Sequence, residues 1–310
     1  MDLEFNADQR AVLDAAGRIA DTHASASILG AAVFERSAAL EADLEAAGLY
    51  DTATTEGLGP VAAAALVMRL ARLPQTLALT ASALLLPLQA PDWPRPGAVL
   101  WAQRDRPARW LPAARTVLCV RGDVVEAAAL HDGDVLTLPS PFGHPVGRLH
   151  QPDTLPWQVL AADAQACRVW WQVGLAAELA GHLGAALDAV VEHVTHRRQF
   201  GRPLGAFQAV QHRLAEAAVR VEALRWLVLQ AAHSGLAADA AAAAGHAQQS
   251  AQALVYDLHQ FMGAMGLTLE HPLHRWTSRA RMLQADLGGA EARYQDLADA
   301  RWGHTDRVPA

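Results

Sequence analysis

A polar and basic segment interrupts two long apolar stretches in the second half of the chain. Residues 197–208 read RRQFGRPLGAFQ and combine three arginines with two phenylalanines and two glycines. A guanidinium is always charged and can donate two parallel hydrogen bonds to an anion such as a pyrophosphate. On spacing alone, the segment also suits an ordinary surface turn between two helices, with Phe200 and Phe207 packed inward. Both interpretations place Arg197 at a helix end.

Two further segments have compositions that suit a binding surface. Residues 260–267 read QFMGAMGL, and Glu270, Pro272 and Arg279 follow them. Small residues let a backbone approach a ligand closely, although a glycine can also end a helix for conformational reasons alone. Residues 44–50 read LEAAGLY and lie in the amino-terminal part of the chain.

All three segments resemble motifs of the acyl-CoA dehydrogenase family. Residues 197–208 are similar to its RxxFGxPLxxFQ signature, residues 260–267 to its QxxGGxGF motif, and residues 44–50 to its EAGL segment. The resemblance is best over residues 165–290. It implies FAD as cofactor and an acyl-CoA thioester as substrate. In such enzymes a carboxylate removes the α-proton, hydrogen bonds to the thioester carbonyl stabilise the enolate, and the β-hydrogen leaves as hydride to the flavin.

The resemblance also assigns cofactor contacts to individual residues. Arg197 matches the arginine that contacts the FAD pyrophosphate. Gln260 and Ala264 match residues that approach the FAD of a neighbouring subunit, because the family binds FAD across a subunit interface. The complete set of implied cofactor-binding residues is Arg197, Gln199, Phe200, Leu204, Phe207, Gln260 and Ala264.

The sequence departs from the family at both positions that can hold the catalytic base. The usual glutamate lies nine residues after the arginine that matches Arg279, which puts Gly288 there. The alternative glutamate precedes the RxxFG arginine by about 26 residues, which puts Trp171 there. Neither residue can accept a proton, so no catalytic residue is assigned. Three acids lie a few residues from these positions and are interpreted as solvated or capping groups: Asp286, Glu291 and Glu178.

A second departure concerns the middle of the chain, where prolines recur between short β-prone runs such as residues 116–120 and 134–138. This region spans about 60 to 70 residues and is shorter than the family's middle domain. It contains neither the Tyr-x-x-Thr nor the Trp-x-Thr element that cradles the flavin in the family. Its histidines, His131, His144 and His150, lack metal-ligand spacing and are interpreted as surface or loop residues.

Long amphipathic helices must position these segments. Apolar residues recur at alternating intervals of four and three between Val169 and Val194, between Val210 and Val228, and between Ala247 and Phe261. A shorter helix is expected around Tyr294 and Leu297. Near the amino terminus, Asn6 with Gln9 three residues later predicts a capping box at the start of a helix. Helices of this kind pack as an antiparallel bundle. The seam is expected to contain Val173, Leu183, Leu214, Leu224 and Leu258.

Composition restricts the remaining possibilities. A formal net charge of -7 disfavours a nucleic-acid partner, and the absence of lysine excludes Schiff-base chemistry and the P-loop. The polar amino terminus and the absence of an apolar run approaching about 20 residues indicate a soluble, cytoplasmic protein without a membrane segment. Cys119 and Cys167 are expected to be buried free thiols.

These observations predict a mainly α fold with a small β region: an amino-terminal helical domain (residues 1–86), a reduced middle β domain (87–157) and a carboxy-terminal antiparallel four-helix bundle (158–310). Residues 276–291 resemble the short, unorthodox subunits of heteromeric steroid-CoA dehydrogenases. This resemblance makes the favoured function a subunit of a heteromeric, FAD-dependent acyl-CoA dehydrogenase acting on bulky, steroid-derived acyl-CoA. A second, longer subunit in a heterotetramer would supply the glutamate and most of the flavin cradle, and an electron-transfer flavoprotein or similar protein would accept the electrons. The alternatives are a homo-oligomeric dehydrogenase that uses a displaced acid such as Asp286 or Glu178, and a noncatalytic assembly scaffold.

Overall fold

The computed structural model of the protein describes residues 4–23 and 36–303. It begins with helices, and local sequence signals account for two of their starts. The Asn6 side chain accepts a hydrogen bond from the Gln9 backbone N–H at 2.8 Å, and the Gln9 side-chain oxygen accepts one from the Asn6 backbone N–H at 3.1 Å, which confirms the expected capping box. Pro60 lies in the first turn of the third helix. The helices are α1 (Ala7–Thr22), α2 (Ala38–Ala46), α3 (Gly59–Leu70) and α4 (Leu86–Gln89), the last preceded by a π-helical turn at Ala81–Leu85.

Seven short strands follow and form two sheets. The strands are β1 (Gly97–Trp101), β2 (Ala108–Arg109), β3 (Thr116–Arg121), β4 (Val124–Ala129), β5 (Val135–Leu138), β6 (Val146–Leu149) and β7 (Gln158–Val159). In the first sheet, β1 pairs in parallel with β3, and β4 and β7 continue it antiparallel; the second sheet has the order β2-β6-β5. Successive side chains of β3 alternate between two apolar clusters, one shared with the long helix that follows and one with the second sheet, so both faces of the first sheet are covered.

The second half of the chain is a helical bundle. Its elements are α5 (Ala164–His196), a small hairpin of β8 (Arg198–Gln199) and β9 (Arg202–Pro203), α6 (Gln208–Ser234), α7 (Ala237–Met262), α8 (Leu273–Gln284) and α9 (Gly289–Trp302). Helix α5 packs on α6, α7 and α8, and α7 packs on α6 and α9. All five residues expected in the seam are buried, which confirms the bundle prediction.

The mainly α fold with a small β region is thus confirmed, and both cysteines are free and buried. The domain limits at 86/87 and 157/158 stay a prediction. Contrary to the expectation from sequence, α5 is long and apolar enough to cross a membrane by length and composition. However, 89% of its most apolar window is buried inside the protein. Its apolar character is therefore explained by its place at the centre of the bundle.

Candidate functional site

Arg197 ends α5 and leads into a tight hairpin. Its backbone N–H donates to the His193 carbonyl at 2.8 Å, and its own carbonyl accepts from Leu204 N–H at 2.8 Å, so the chain returns beside it. The turn between β8 and β9 has positive φ at both Phe200 (55°) and Gly201 (80°). Such a turn matches the twist of a two-residue hairpin, but it is an uncommon conformation for a phenylalanine.

Phe200 is not packed inward, so the ordinary-turn interpretation is wrong for this residue. Its side chain is 88% exposed, and its ring lies edge-on to the ring of Phe207 with 6.2 Å between centroids. The Arg202 guanidinium stacks over Phe207 at 4.0 Å. Phe207 and Leu204 are half-buried, and Gln199 is exposed. An exposed aromatic residue in an unusual backbone conformation is more readily explained by binding than by folding.

Both signature segments meet at one end of the bundle. A shallow pocket of about 410 Å³ lies there, and Arg197, His193 and Met265 contribute to its lining. Within residues 4–23 and 36–303, the Arg197 side chain has no ion-pair or hydrogen-bond partner. Partial burial, and then the nearby Arg197 charge, lower the pKa of His193 below its ordinary value. We call this the Arg197 pocket; its lining residues are Ala189, Glu192, His193, His196, Arg197, Met265 and His271.

The second motif, residues 260–267, lies on the other side of the Arg197 pocket. Gln260 is exposed on the last turn of α7, and Ala264 is exposed in the 3₁₀ turn Gly263–Leu267 that also carries Met265. An unpaired, exposed guanidinium beside small residues fits the pyrophosphate end of FAD, because the anion can be reached without displacing an existing ion pair. The seven cofactor-binding assignments from sequence stay predictions, since their positions are compatible with the role but do not test it.

A cavity of about 440 Å³ lies between the β region and the bundle. The two positions that lack the family's carboxylate, Trp171 and Gly288, border this cavity or lie near it. Trp171 is 3% exposed and lines the cavity, and its indole N–H donates to the Asp286 carboxylate at 3.2 Å. Gly288 has φ of 91° and precedes α9. The apolar walls and Trp101, which meets Trp171 edge-on at 6.1 Å between centroids, give the cavity a size and texture that suit a small molecule.

Glu178 was expected to be a solvated or capping acid, and that prediction is wrong. It is 1% exposed on α5 and pairs with Arg109 of β2, whose Nη1 lies 2.8 Å from one carboxylate oxygen and 3.1 Å from the other. The Thr80 hydroxyl and backbone N–H also donate to it. Because every one of these donors stabilises the carboxylate, Glu178 is poorly suited to act as a base. No local sequence pattern indicates these contacts, since Arg109 and Thr80 lie 69 and 98 residues from Glu178 along the chain.

Asp286 was also expected to be a solvated or capping acid, and it is half-buried at the edge of the cavity. Its carboxylate lies 3.7 Å from Nε of Arg109, beyond hydrogen-bond distance. Burial raises the pKa of Asp286, while Arg109 and the Trp171 N–H act in the opposite direction. The third acid, Glu291, is exposed in the first turn of α9, as expected.

His144 was expected at the surface or in a loop, and it lies in a loop but is buried. It is 1% exposed, because the loop before β6 folds inward and places its imidazole 5.7 Å from Trp110 and 6.4 Å from His182, measured between ring centroids. His131 and His150 are exposed, as expected. In the part of the chain that is described, His144, Glu178 and His182 form a trio whose potential ligand atoms lie within 4.8 Å of one another. The charges of Arg109 and Arg279 face both histidines and oppose a cation there.

The stability of the chain is expected to fall as the pH decreases below about 6.5. Burial, with Arg109 and Arg279, holds the pKa of His144 and of His182 well below the ordinary value. In the unfolded chain both would titrate near 6.5, so acidification adds protons to the unfolded state that the folded state does not accept. Each histidine can contribute a slope of up to about 1.4 kcal/mol per pH unit. Urea unfolding between pH 5 and 7.5 measures this slope.

A leucine substitution separates this effect from other titrations. His144→Leu should reduce the pH slope by about one proton. An equal slope in the His144→Leu variant and the unchanged chain would contradict the prediction.

The helical part resembles one protein family in sequence, and the whole chain resembles the same family in fold. Residues 170–300 match the family model of the acyl-CoA dehydrogenase C-terminal domain. The fold of the chain is that of acyl-CoA dehydrogenases: it resembles a structure of the "Tcur3481-Tcur3483 steroid ACAD G363A variant" with a TM-score of 0.77 at 23% identity. That match covers 94% of this chain and 97% of the other. The ChsE4-ChsE5 complex from Mycobacterium tuberculosis gives a TM-score of 0.76 at 19% identity, covering 96% and 98%.

Curated relatives match over shorter spans. Acyl-CoA dehydrogenase IpdE2 of Mycobacterium tuberculosis is 37% identical over 106 residues, which is 34% of this chain and 33% of that protein. The IpdE2 of Mycolicibacterium smegmatis is 29% identical over 167 residues, covering 52% of this chain and 54% of that protein. The matched parts therefore span between about a third and about a half of these two relatives. The family resemblance is confirmed for the carboxy-terminal domain and the fold.

Proposed function

We propose that this chain is a subunit of a heteromeric acyl-CoA dehydrogenase that introduces an α,β double bond into a bulky acyl-CoA thioester. One observation carries the proposal: the Arg197 pocket is open and its guanidinium has no partner among the residues that the structure describes, while the two base positions hold Trp171 and Gly288. A chain that keeps a cofactor-binding face but lacks its base is suited to complete another subunit's site. FAD bound there would accept the β-hydrogen of the acyl group as hydride.

The contribution of this chain is to bind and orient. Arg197 would hold the pyrophosphate of an FAD that is retained mainly by the partner, and the exposed Phe200 ring would contact the same cofactor. Gln260 and Ala264 would lie against it from the end of α7. The longer partner would supply the glutamate that removes the α-proton.

The names of similar proteins support the finer parts of the proposal. One structural neighbour is described as a steroid acyl-CoA dehydrogenase and another as a complex of two proteins, which favours a steroid-derived substrate and a heterotetramer. A further neighbour, with a TM-score of 0.73, is described as an electron-transferring flavoprotein of Acidaminococcus fermentans. We propose a flavoprotein of that type as electron acceptor and the cytoplasm as the location.

A specific observation also supports a second candidate, a homo-oligomeric dehydrogenase that uses Asp286 as its base. The carboxylate borders the cavity, and burial raises its pKa toward the range in which a base can work at neutral pH. In contrast, Glu178 is committed to Arg109 and Thr80 and is not retained as a candidate base.

Purification separates the candidates. The chain produced alone is expected to retain little or no FAD and to show no acyl-CoA dehydrogenase activity, because both base positions are vacant and the β region is reduced. Co-production with a longer acyl-CoA dehydrogenase subunit should yield a yellow complex with turnover. Absorbance near 450 nm and reduction of an artificial electron acceptor measure both properties.

The variant Asp286→Asn completes this test. Stoichiometric FAD and turnover by the chain alone, abolished by Asp286→Asn, would establish the homo-oligomeric enzyme and overturn the heteromeric proposal. A flavin-free complex without turnover would instead favour a noncatalytic scaffold.

A further inference from the structure

A groove on the opposite side of α5 from the β region has no role in the proposed function. It lies between α1, α3, α5 and α6 and has a volume of about 430 Å³, within the range of small-molecule sites. Its lining includes neither Arg197 nor either base position. Apolar side chains form its floor, with arginines and acids at its rim. The floor includes Leu13, Met68, Leu187, Ala218 and Val221.

Three arginines lie at the rim, and two of them already have acidic partners. Arg72 pairs with Asp188, and Arg225 pairs with Glu222 at 2.9 Å. Arg69 is exposed and, among residues 4–23 and 36–303, has no acidic or hydrogen-bond partner. The rim therefore carries one positive charge in excess, and that charge belongs to Arg69.

Glycines on the neighbouring helices make room for these arginines. A Cβ at Gly17 of α1 would collide with the Arg69 guanidinium, and a Cβ at Gly184 of α5 would lie 2.6 Å from an Arg72 nitrogen. Both guanidiniums thus lie directly against helix backbone, with their apolar stems along the groove. Such placement keeps the Arg69 head next to the apolar floor, where surrounding low-dielectric material strengthens its interaction with an anion.

We propose that this groove binds a single-chain amphiphile with a carboxylate head, of the fatty-acid type. The apolar chain would lie on the floor formed by Leu13, Met68 and Val221, and the carboxylate would accept hydrogen bonds from Arg69. Charge complementarity selects an anionic head, because the rim group that has no partner within the described part of the chain, Arg69, is a cation. The apolar floor selects a chain over a small inorganic anion. The inference does not depend on the proposed function.

Calorimetric titration of the full-length chain with decanoate, decan-1-ol and decyltrimethylammonium tests the proposal. Decanoate is expected to bind with one-to-one stoichiometry, at least about tenfold more tightly than decanol, as a charge-assisted hydrogen bond predicts. Its affinity should decrease as salt is added. Equal affinity for decanoate and decanol, or preferential binding of the cation, would overturn it. A titration with decyl phosphate tests whether the head group must be a carboxylate. Tighter binding of decyl phosphate than of decanoate would overturn the assignment of a carboxylate head.

Matched variants locate the site. Arg69→Gln should weaken decanoate binding at least about tenfold, whereas Arg18→Gln, at an exposed position of α1 outside the groove, should not. Ala218→Trp should block the groove, and Ala215→Trp, exposed on the same helix but outside the groove, is its control. All four positions are exposed, so folding should be retained. Unchanged decanoate binding in both Arg69→Gln and Ala218→Trp would place any binding elsewhere and refute the proposal.

Discussion

Replacing Glu178 with alanine is expected to lower the free energy of unfolding by about 3 to 5 kcal/mol, the usual cost of removing one partner of a buried ion pair. The change would leave the Arg109 guanidinium without its carboxylate in a buried environment and would leave the Thr80 N–H and hydroxyl without their acceptor. Asp286 cannot substitute at its present distance of 3.7 Å. Urea-induced unfolding measures the loss.

Two further variants test whether burial of the Arg109–Glu178 pair is the cause of this loss of stability. Asp188→Ala removes the acid of an exposed pair with Arg72 and should cost no more than about 1 kcal/mol. The double replacement Arg109→Met with Glu178→Leu removes both charges and should recover much of the loss, because apolar residues of similar volume can replace a buried pair. If Glu178→Ala cost no more than Asp188→Ala, the pair would not have the structural role assigned to it.

Replacing Arg197 with alanine is expected to weaken FAD retention by the assembled complex roughly 10- to 150-fold, which corresponds to a charge-assisted contact of about 1.5 to 3 kcal/mol. The unfolding of the isolated chain should hardly change, because the Arg197 side chain has no partner within the described ranges 4–23 and 36–303. Arg197→Lys should recover only part of the loss, since an ammonium lacks the planar fork of a guanidinium. Flavin released on dilution, followed by fluorescence, measures the effect.

Arg220→Ala is the matched control for this variant, because Arg220 is exposed on α6 and does not line the Arg197 pocket. It should leave FAD retention unchanged. The same flavin affinity in Arg197→Ala and Arg220→Ala would require the assignment of the RxxFG segment to FAD binding to be withdrawn.

Much of the fold follows from patterns that are local in the sequence. Heptad-like spacing predicted α5, α6 and α7 and the buried seam from Val173 to Leu258, because helix period and apolar burial are coupled through short-range geometry. The Asn6 capping box and the short strands β3 and β5 were predicted for the same reason. The helical break before residues 197–208 was also visible in the sequence, although its hairpin was not.

Residue identity and spacing along one chain segment are enough to place Arg197 at a helix end. The family resemblance then assigns Trp171 and Gly288 to the base positions. The environment of the acids and histidines depends instead on tertiary packing. Glu178 meets Arg109 across 69 residues, Asp286 meets Trp171 across 115, and His144 lies inside because its loop folds back toward α5. Such pairings depend on how distant elements pack, and local hydrophobic periodicity contains no information about which polar groups that packing brings together.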